Sequence, residues 1–176
     1  MENDFLYQAF YCEENAWQLC AHPRFKSVEK RVVFITNPQR LCPVWHMKTA
    51  PADLEPVLWD YHCIFLVRAL AWQVWDHDSN LGWPVAASDY FLRSFRSDIH
   101  PEYQAFFRIV EADRYQAEFS SDRAHMRQED GRWKHPPPPW ATIGENRKTN
   151  LSDYLDLSQT NLGPVKNLAE IQALFI

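Results

Sequence analysis

A cysteine, a histidine and an aspartate are the side chains in this sequence best placed for nucleophilic chemistry. Cys12 stands just before Glu13–Ala21, where apolar residues recur at helical spacing. It therefore lies at the N-terminus of a predicted helix, where the helix dipole favours the thiolate. Glu13 and Glu14 in the first turn oppose that effect, so a nearby histidine would have to do much of the activation.

The histidine and the aspartate come from two predicted strands that follow each other. Along Val57–Val67, a period of two places Asp60 and His62 on one face with aliphatic residues. Polar groups buried among aliphatics need partners or a function. The next predicted strand, Leu70–Asp76, ends in a carboxylate on the corresponding face.

The register of this predicted hairpin decides whether the two groups meet. A turn at residues 68–70 places Leu66 opposite Trp72 and His62 opposite Asp76. Such a pair is also what a purely structural buried ion pair would look like. A cysteine at a helix start, followed by a histidine and an aspartate on adjacent strands, has the chain order of papain-like and transglutaminase-like enzymes.

The remaining predicted elements complete a sheet with helices packed on it. They are a hairpin of Arg31–Thr36 and Leu41–His46, a helix capped by Ser88, a helix over Pro101–Asp113, a polyproline II rod at Pro136–Pro139, and two short helices capped by Asn150 and Asn167. We therefore predict an α+β fold with a mostly antiparallel central sheet flanked by helices. Residues 1–176 are predicted to form a single domain.

Charge and composition exclude several classes of protein and partner. The 176 residues include 18 Lys and Arg against 23 Asp and Glu, a net charge of −5. This balance argues against nucleic acid and anionic membranes as main partners, because both require a basic surface. The N-terminal MENDFLYQAF lacks the basic segment of a signal peptide, and the four cysteines form no CxxC pair. We expect a monomer with reduced thiols in the cytoplasm or nucleus.

Short strings along the chain resemble one enzyme family. They are YCEEN at 11–15, WDYH at 59–62, WDHD at 75–78, SDRAHM at 121–126, the four prolines before Trp140, and NLSD at 150–153. Each string alone is weak, but together and in this order they are specific. The chain resembles the protein N-terminal glutamine amidohydrolase family.

This resemblance implies an activity and a catalytic triad. The family converts the side chain of a protein's N-terminal glutamine to glutamate and releases ammonia, which in eukaryotes feeds the arginine branch of the N-degron pathway. Its triad corresponds here to Cys12, His62 and Asp76, acting through a Cys thioester on proteins or peptides with a free N-terminal Gln, without a cofactor. The family usually has an apolar residue between the two aspartates, where this chain has His77.

The substrate's α-ammonium group is the feature that distinguishes an N-terminal glutamine from an internal one. We predict that carboxylates near Cys12 hold this ammonium, with Glu14, Asp60 and Asp78 as the candidates. Asp60 shares a strand face with His62 and could equally serve as a second partner in the strand network.

Other interpretations remain open at this point. A metal site could be assembled from His62, Asp76, His77 and Asp78, but the two histidines fall on opposite strand faces and no HxxxH or CxxC spacing exists. Pro136–Pro139 could make the chain an adaptor bound by SH3 or WW domains. The triad could also perform peptide hydrolysis or transglutamination.

Overall fold

The computed structural model describes residues 4–52, 54–145 and 147–175. Its helices, in chain order, are α1 (Cys12–Ala21), α2 (Ala87–Ser94), α3 (Ala112–Glu118), α4 (Leu151–Leu155) and α5 (Leu168–Phe175). Its strands are β1 (Glu29–Thr36), β2 (Cys42–Val44), β3 (Val57–Trp59), β4 (His62–Arg68), β5 (Trp72–Trp75), β6 (Val85–Ala86), β7 (Phe106–Glu111) and β8 (Val165–Lys166).

A six-stranded sheet organises the described residues. Its strand order is β6-β5-β4-β1-β7-β8, and every neighbouring pair is antiparallel. The strands β2 and β3 form a separate antiparallel pair. The predicted α+β class with an antiparallel central sheet is confirmed. Among the described helices, none combines the length and apolar character needed to cross a membrane.

Both faces of this sheet are covered, so the central strands are apolar on both sides. In β1, Val32 and Phe34 join a core with α1, α3 and α4, whereas Val33 and Ile35 join a core with α2 and α5. The helix carrying Cys12 therefore packs on one face of the sheet, and α2 packs on the other.

Two predicted elements are wrong because both edges of β1 are used by other strands. The predicted hairpin of Arg31–Thr36 with Leu41–His46 does not form, since β1 pairs with β4 and β7, and Cys42–Val44 pairs with β3. The predicted helix over Pro101–Asp113 is instead a short 3-10 turn followed by β7. Phe107 and Val110 of β7 are buried on opposite faces, which a strand in mid-sheet requires.

The predicted long strand Val57–Val67 is divided at Asp60. The Asp60 carboxylate accepts the backbone N–H of Tyr61 at 2.9 Å, and the Asp60 carbonyl accepts the Thr36 hydroxyl at 3.0 Å. Side-chain bonds of this kind compete with strand pairing and end the first strand. The segment before the bend joins β2 and the segment after it joins the central sheet.

The predicted register between the two strands after the bend is shifted by two residues. Leu66 pairs with Val74 instead of Trp72, and Arg68 pairs with Trp72. A shift of two keeps every side chain on its predicted face, because the side-chain period of a strand is two. The contact between His62 and Asp76 consequently survives as a diagonal one.

Candidate active site

Cys12 is the first residue of α1, as the sequence predicts. Its thiol lies next to β4, where Cys12 and Cys63 pack in the same apolar core. The side chain is buried, and burial together with the negative charge of Glu13 raises the pKa of the thiol well above its ordinary value. These effects oppose the stabilisation that a helix N-terminus gives a thiolate.

His62 and Asp76 form a buried ion pair. The imidazole Nε2 lies 3.0 Å from Asp76 Oδ2. Both side chains are almost completely buried. Asp76 also accepts the Tyr90 hydroxyl at 2.8 Å and the backbone N–H of Asp78 at 2.9 Å. This carboxylate is therefore fixed from three directions, and it fixes the imidazole in turn.

The Asp76 carboxylate stabilises the charge that the imidazole gains when it accepts a proton. Burial alone would lower the pKa of His62, but the Asp76 carboxylate raises it above its usual value. Burial would likewise raise the pKa of Asp76, yet His62 and Tyr90 hold it below its ordinary range. The second imidazole nitrogen, Nδ1, is buried and has no hydrogen-bond partner among the described residues. A histidine with one nitrogen held by a carboxylate and the other free can accept and return a proton.

A cleft of about 550 Å³ opens beside Cys12. Its walls come from three regions: the N-terminal segment with α1, the bend between β3 and β4, and the C-terminal half of the chain. The lining residues are Phe10, Cys12, Arg40, Trp59, Asp60, Tyr61, Asp78, His125, Met126, Lys134, His135, Thr149, Leu151, Ser152 and Leu155. The cleft is large enough for a side chain and the first residues of a peptide.

Glu14 is saturated by the protein itself. Oε1 accepts the Ser121 hydroxyl at 3.0 Å and Arg123 Nε at 2.9 Å. Oε2 accepts Arg123 Nη2 and the Trp140 indole N–H, both at 2.8 Å. The carboxylate has no lone pair left for a substrate ammonium. These contacts argue against the predicted substrate-binding role of Glu14 and give it a structural one.

Asp60 and Asp78 both line the cleft, in different environments. Asp60 is exposed at the bend before β4. Asp78 is buried and accepts the Tyr7 hydroxyl, and burial raises the pKa of its carboxyl group. His77, between the two aspartates, packs its ring between Trp83, tilted with ring centroids 3.8 Å apart, and Tyr7, stacked at 4.8 Å.

One carboxylate at the site escaped the sequence-based prediction. Glu13 is fully buried, and its Oε2 accepts the Tyr61 hydroxyl at 2.9 Å and the Cys12 thiol at 3.7 Å. The sequence feature that could have indicated a role for Glu13 is its position in the YCEEN string, directly after Cys12. Two adjacent glutamates in a first turn look alike in sequence, however, and only the folded contacts distinguish them.

Comparison with known proteins adds the deciding observation about ancestry. A family model described as N-terminal glutamine amidase matches residues 7–175. The chain belongs to this family. Similar curated proteins, each named protein N-terminal glutamine amidohydrolase, come from Homo sapiens (36% identical, covering 97% of this chain and 87% of the relative), Drosophila melanogaster (38%, 96% and 87%) and Drosophila willistoni (39%, 95% and 86%).

In this N-terminal glutamine amidase family member, one group of side chains also has the spacing of a metal site. His62, Asp76 and Asp78 each offer a potential ligand atom, and these atoms lie within 4.8 Å of one another. The His62 nitrogen that faces Asp76 is already hydrogen-bonded to it. The same arrangement serves an acid–base pair, for which the carboxylate must orient the imidazole.

Proposed function

We propose that this protein is a protein N-terminal glutamine amidohydrolase, which deamidates the side chain of an N-terminal glutamine to glutamate and releases ammonia. The observation that carries the proposal is the family match over residues 7–175. A cysteine at a cleft and a buried histidine–carboxylate pair on the adjoining strand support it chemically. The extent of the match supports treating residues 1–176 as one catalytic domain.

The reaction would run as acyl transfer through Cys12, in a papain-like or transglutaminase-like arrangement. His62 takes the proton of the Cys12 thiol, and the sulfur bonds to the carbon of the substrate's side-chain amide. His62 then gives that proton to the nitrogen as the carbon–nitrogen bond breaks, so ammonia leaves and a thioester remains. Water next loses a proton to His62 and attacks the thioester, and the released sulfur recovers its proton.

Two further groups would lower the barriers of these steps. The oxyanion of each tetrahedral intermediate would bind backbone N–H groups at the start of α1, including that of Cys12, because these donors have no partners within the helix. Asp76 would hold the imidazole tautomer that leaves Nδ1 free and would stabilise the imidazolium. The third triad member is therefore a positioning group.

The substrate in this proposal is a protein or peptide with a free N-terminal glutamine. Its α-ammonium would meet the acidic side of the cleft, where Asp60 and Asp78 lie. An ammonium has no lone pair, so holding it would also prevent cyclisation to pyroglutamate. We infer further that the enzyme is a cytoplasmic or nuclear monomer that needs no cofactor, membrane or nucleic acid, and that it supplies substrates to the arginine branch of the N-degron pathway.

A mass-spectrometric assay tests the proposal directly. A Gln-initiated peptide incubated with the protein should gain the mass of OH in place of NH₂, with one ammonia released per peptide. The same assay detects peptide cleavage and amine incorporation, which the alternative acyl-transfer reactions would give instead.

Substitution of the nucleophile provides the control. Cys12→Ala should reduce turnover at least about a thousandfold, whereas Cys42→Ala, a change at another buried cysteine, should leave deamidation intact. Full activity in folded Cys12→Ala would refute the assignment. Absence of deamidation by the unmodified protein, together with capture of Pro136–Pro139 by SH3 or WW domains, would favour the adaptor.

A further inference from the structure

Glu13 and Glu14 are neighbours in the first turn of α1 and are equally buried, but their carboxylates differ in their counter-ions. Each side chain is 0% exposed. Glu14 has the guanidinium of Arg123 as its counter-ion, 7% exposed, with bonds to both carboxylate oxygens. No lysine or arginine within residues 4–52, 54–145 and 147–175 forms an ion pair with Glu13.

The carboxylate of Glu13 is incompletely satisfied. Oε2 accepts Tyr61 and Cys12, but Oε1 has no hydrogen bond among the described residues. The cationic candidate nearest to it is His125, whose Nε2 lies 3.5 Å from Oε1 without forming a hydrogen bond. Glu13 therefore has no permanently charged counter-ion among the described residues, and a buried carboxylate oxygen without a hydrogen bond needs an explanation.

The surroundings of Glu13 place its carboxylate directly behind the cleft wall. Cys12, Tyr61 and His125 all contact it, and all of them line the cleft. A cation that enters the cleft at the nucleophile reaches this carboxylate by displacing the His125 ring, which forms no hydrogen bond there. Glu13 is therefore a buried carboxylate beside the thiol, with Oε2 3.7 Å from the sulfur and Oε1 without a hydrogen bond among the described residues.

The distances agree with the covalent geometry of the substrate. In an N-terminal glutamine, the α-nitrogen and the side-chain amide carbon are separated by four bonds of about 1.5 Å, so they lie within roughly 5 Å of each other. When the amide carbon is at the Cys12 sulfur, the ammonium is consequently within reach of a carboxylate whose Oε2 is 3.7 Å from that sulfur.

We propose that Glu13 is the principal counter-ion of the substrate's α-ammonium and that binding of this ammonium releases Cys12 for reaction. The inference rests on the proposed function and names the residue that makes that reaction specific for a free N-terminus. In the resting protein, the thiol donates to Glu13. In the complex, the ammonium forms an ion pair with the Glu13 carboxylate and replaces the thiol there. The thiol proton is then free to move to His62.

The charges that face Cys12 explain why the release matters. Glu13 on α1 and Asp78 beyond β5 are negative, Cys63 of β4 lies against the sulfur, and the Tyr61 hydroxyl meets Glu13 from the bend. Burial and these negative charges disfavour the thiolate, and neutralising Glu13 removes the closest of them. The same contact thus selects the substrate and activates the nucleophile.

Asp60 and Asp78 are weaker candidates for the principal contact. Asp60 is exposed, where solvent screens an ion pair to little net strength. Asp78 already accepts the Tyr7 hydroxyl, and burial raises the pKa of its carboxyl group. Both add negative potential to the cleft without holding an unused buried oxygen beside the thiol.

Glu13→Gln, an isosteric change, tests both parts of the inference. With a Gln-initiated peptide, kcat/KM should fall about thirtyfold or more, because a desolvated charge pair is lost. With the N-acetylated peptide, kcat/KM should stay low and unchanged, so the preference for the free amine collapses. Alkylation of Cys12 by iodoacetamide at pH 7, followed by peptide mapping, should become about tenfold faster, as one unit of thiol pKa implies.

Loss of structure would also slow turnover and would expose every buried thiol, so the peptide map must show faster alkylation at Cys12 while the buried Cys20 and Cys42 react as slowly as in the wild type. Glu13→Asp should restore part of the preference. Glu14→Gln is the matched control in the same turn, and it should lower the unfolding temperature while keeping the ratio of free to acetylated kcat/KM.

Each failure is recognisable. A Glu13→Gln variant that keeps the wild-type preference, or a larger collapse in Asp60→Asn, overturns the assignment of the ammonium site. Unchanged or slower alkylation overturns the coupling to the thiol. If the wild-type protein releases no ammonia from any Gln peptide, the proposed function itself fails, whereas the alkylation result still reports on Glu13.

Discussion

Removal of Arg123 should destabilise the protein by isolating a buried charge. In Arg123→Met, Glu14 keeps Ser121 and Trp140 as donors but loses two charge-assisted hydrogen bonds and its only described counter-ion. Breaking a buried ion pair on one side costs about 3–5 kcal/mol. For a chain of 176 residues, each kcal/mol shifts Tm by about 2–4 °C, so the loss should be roughly 6–20 °C.

The assay is urea and thermal unfolding at pH 7, arranged as a double-mutant cycle. Glu14→Gln combined with Arg123→Met removes both charges, so the double variant should be more stable than the sum of the single losses by about 1–3 kcal/mol. Arg132→Met, which removes an exposed pair with Asp130, is the matched control and should change stability by less than about 0.5 kcal/mol. The reasoning is refuted if Arg123→Met costs under about 1 kcal/mol or if the two losses are additive.

The remaining predictions concern the triad, pH and backbone packing. Asp76→Asn should reduce kcat about a thousandfold or more, because the imidazole loses its fixed tautomer; a larger defect in Asp78→Asn would show that the third member is misplaced. Burial lowers the pKa of His77 to about 4 from an ordinary 6.5, so the unfolded chain binds the extra proton and stability rises with pH between about 4 and 6.5. His77→Gln should remove up to about 3 kcal/mol of this rise in urea titrations, and an unchanged slope would contradict the assignment. Gly163→Ala should cost more than about 3 kcal/mol in thermal unfolding, because at φ +136° a β-carbon would collide with the Ile109 carbonyl oxygen; near-wild-type stability would contradict that packing.

The local patterns predicted the elements that carry the chemistry. Helical spacing placed Cys12 at the start of α1, and the period of two kept His62 and Asp76 on one face even though the register was shifted. The predicted contact between the two is confirmed at 3.0 Å. Their catalytic roles stay a prediction, since they depend on chemistry that geometry alone does not measure.

Contacts between residues distant in sequence determine the features that local sequence patterns did not predict. The residues of β7 were predicted to be helical because Pro101 suits a first helical turn. They instead form the strand that pairs with the second edge of β1. The different fates of Glu13 and Glu14 depend on Arg123, more than a hundred residues away along the chain. Local composition contains no information about such a distant partner.

Arg108, at the centre of β7, determines how the far wall of the cleft will exchange its amide hydrogens with solvent. Its guanidinium is fully buried and donates to the backbone carbonyls of Tyr154, Asp156, Gln159 and Gly163. Opening α4 or the loop after it would break these charge-assisted bonds together and leave a cation stranded in the sheet. The hydrogen-bonded amides of α4 should therefore exchange with deuterium more slowly than those of an isolated helix of its length. One buried cation thus ties this wall of the cleft to the central sheet.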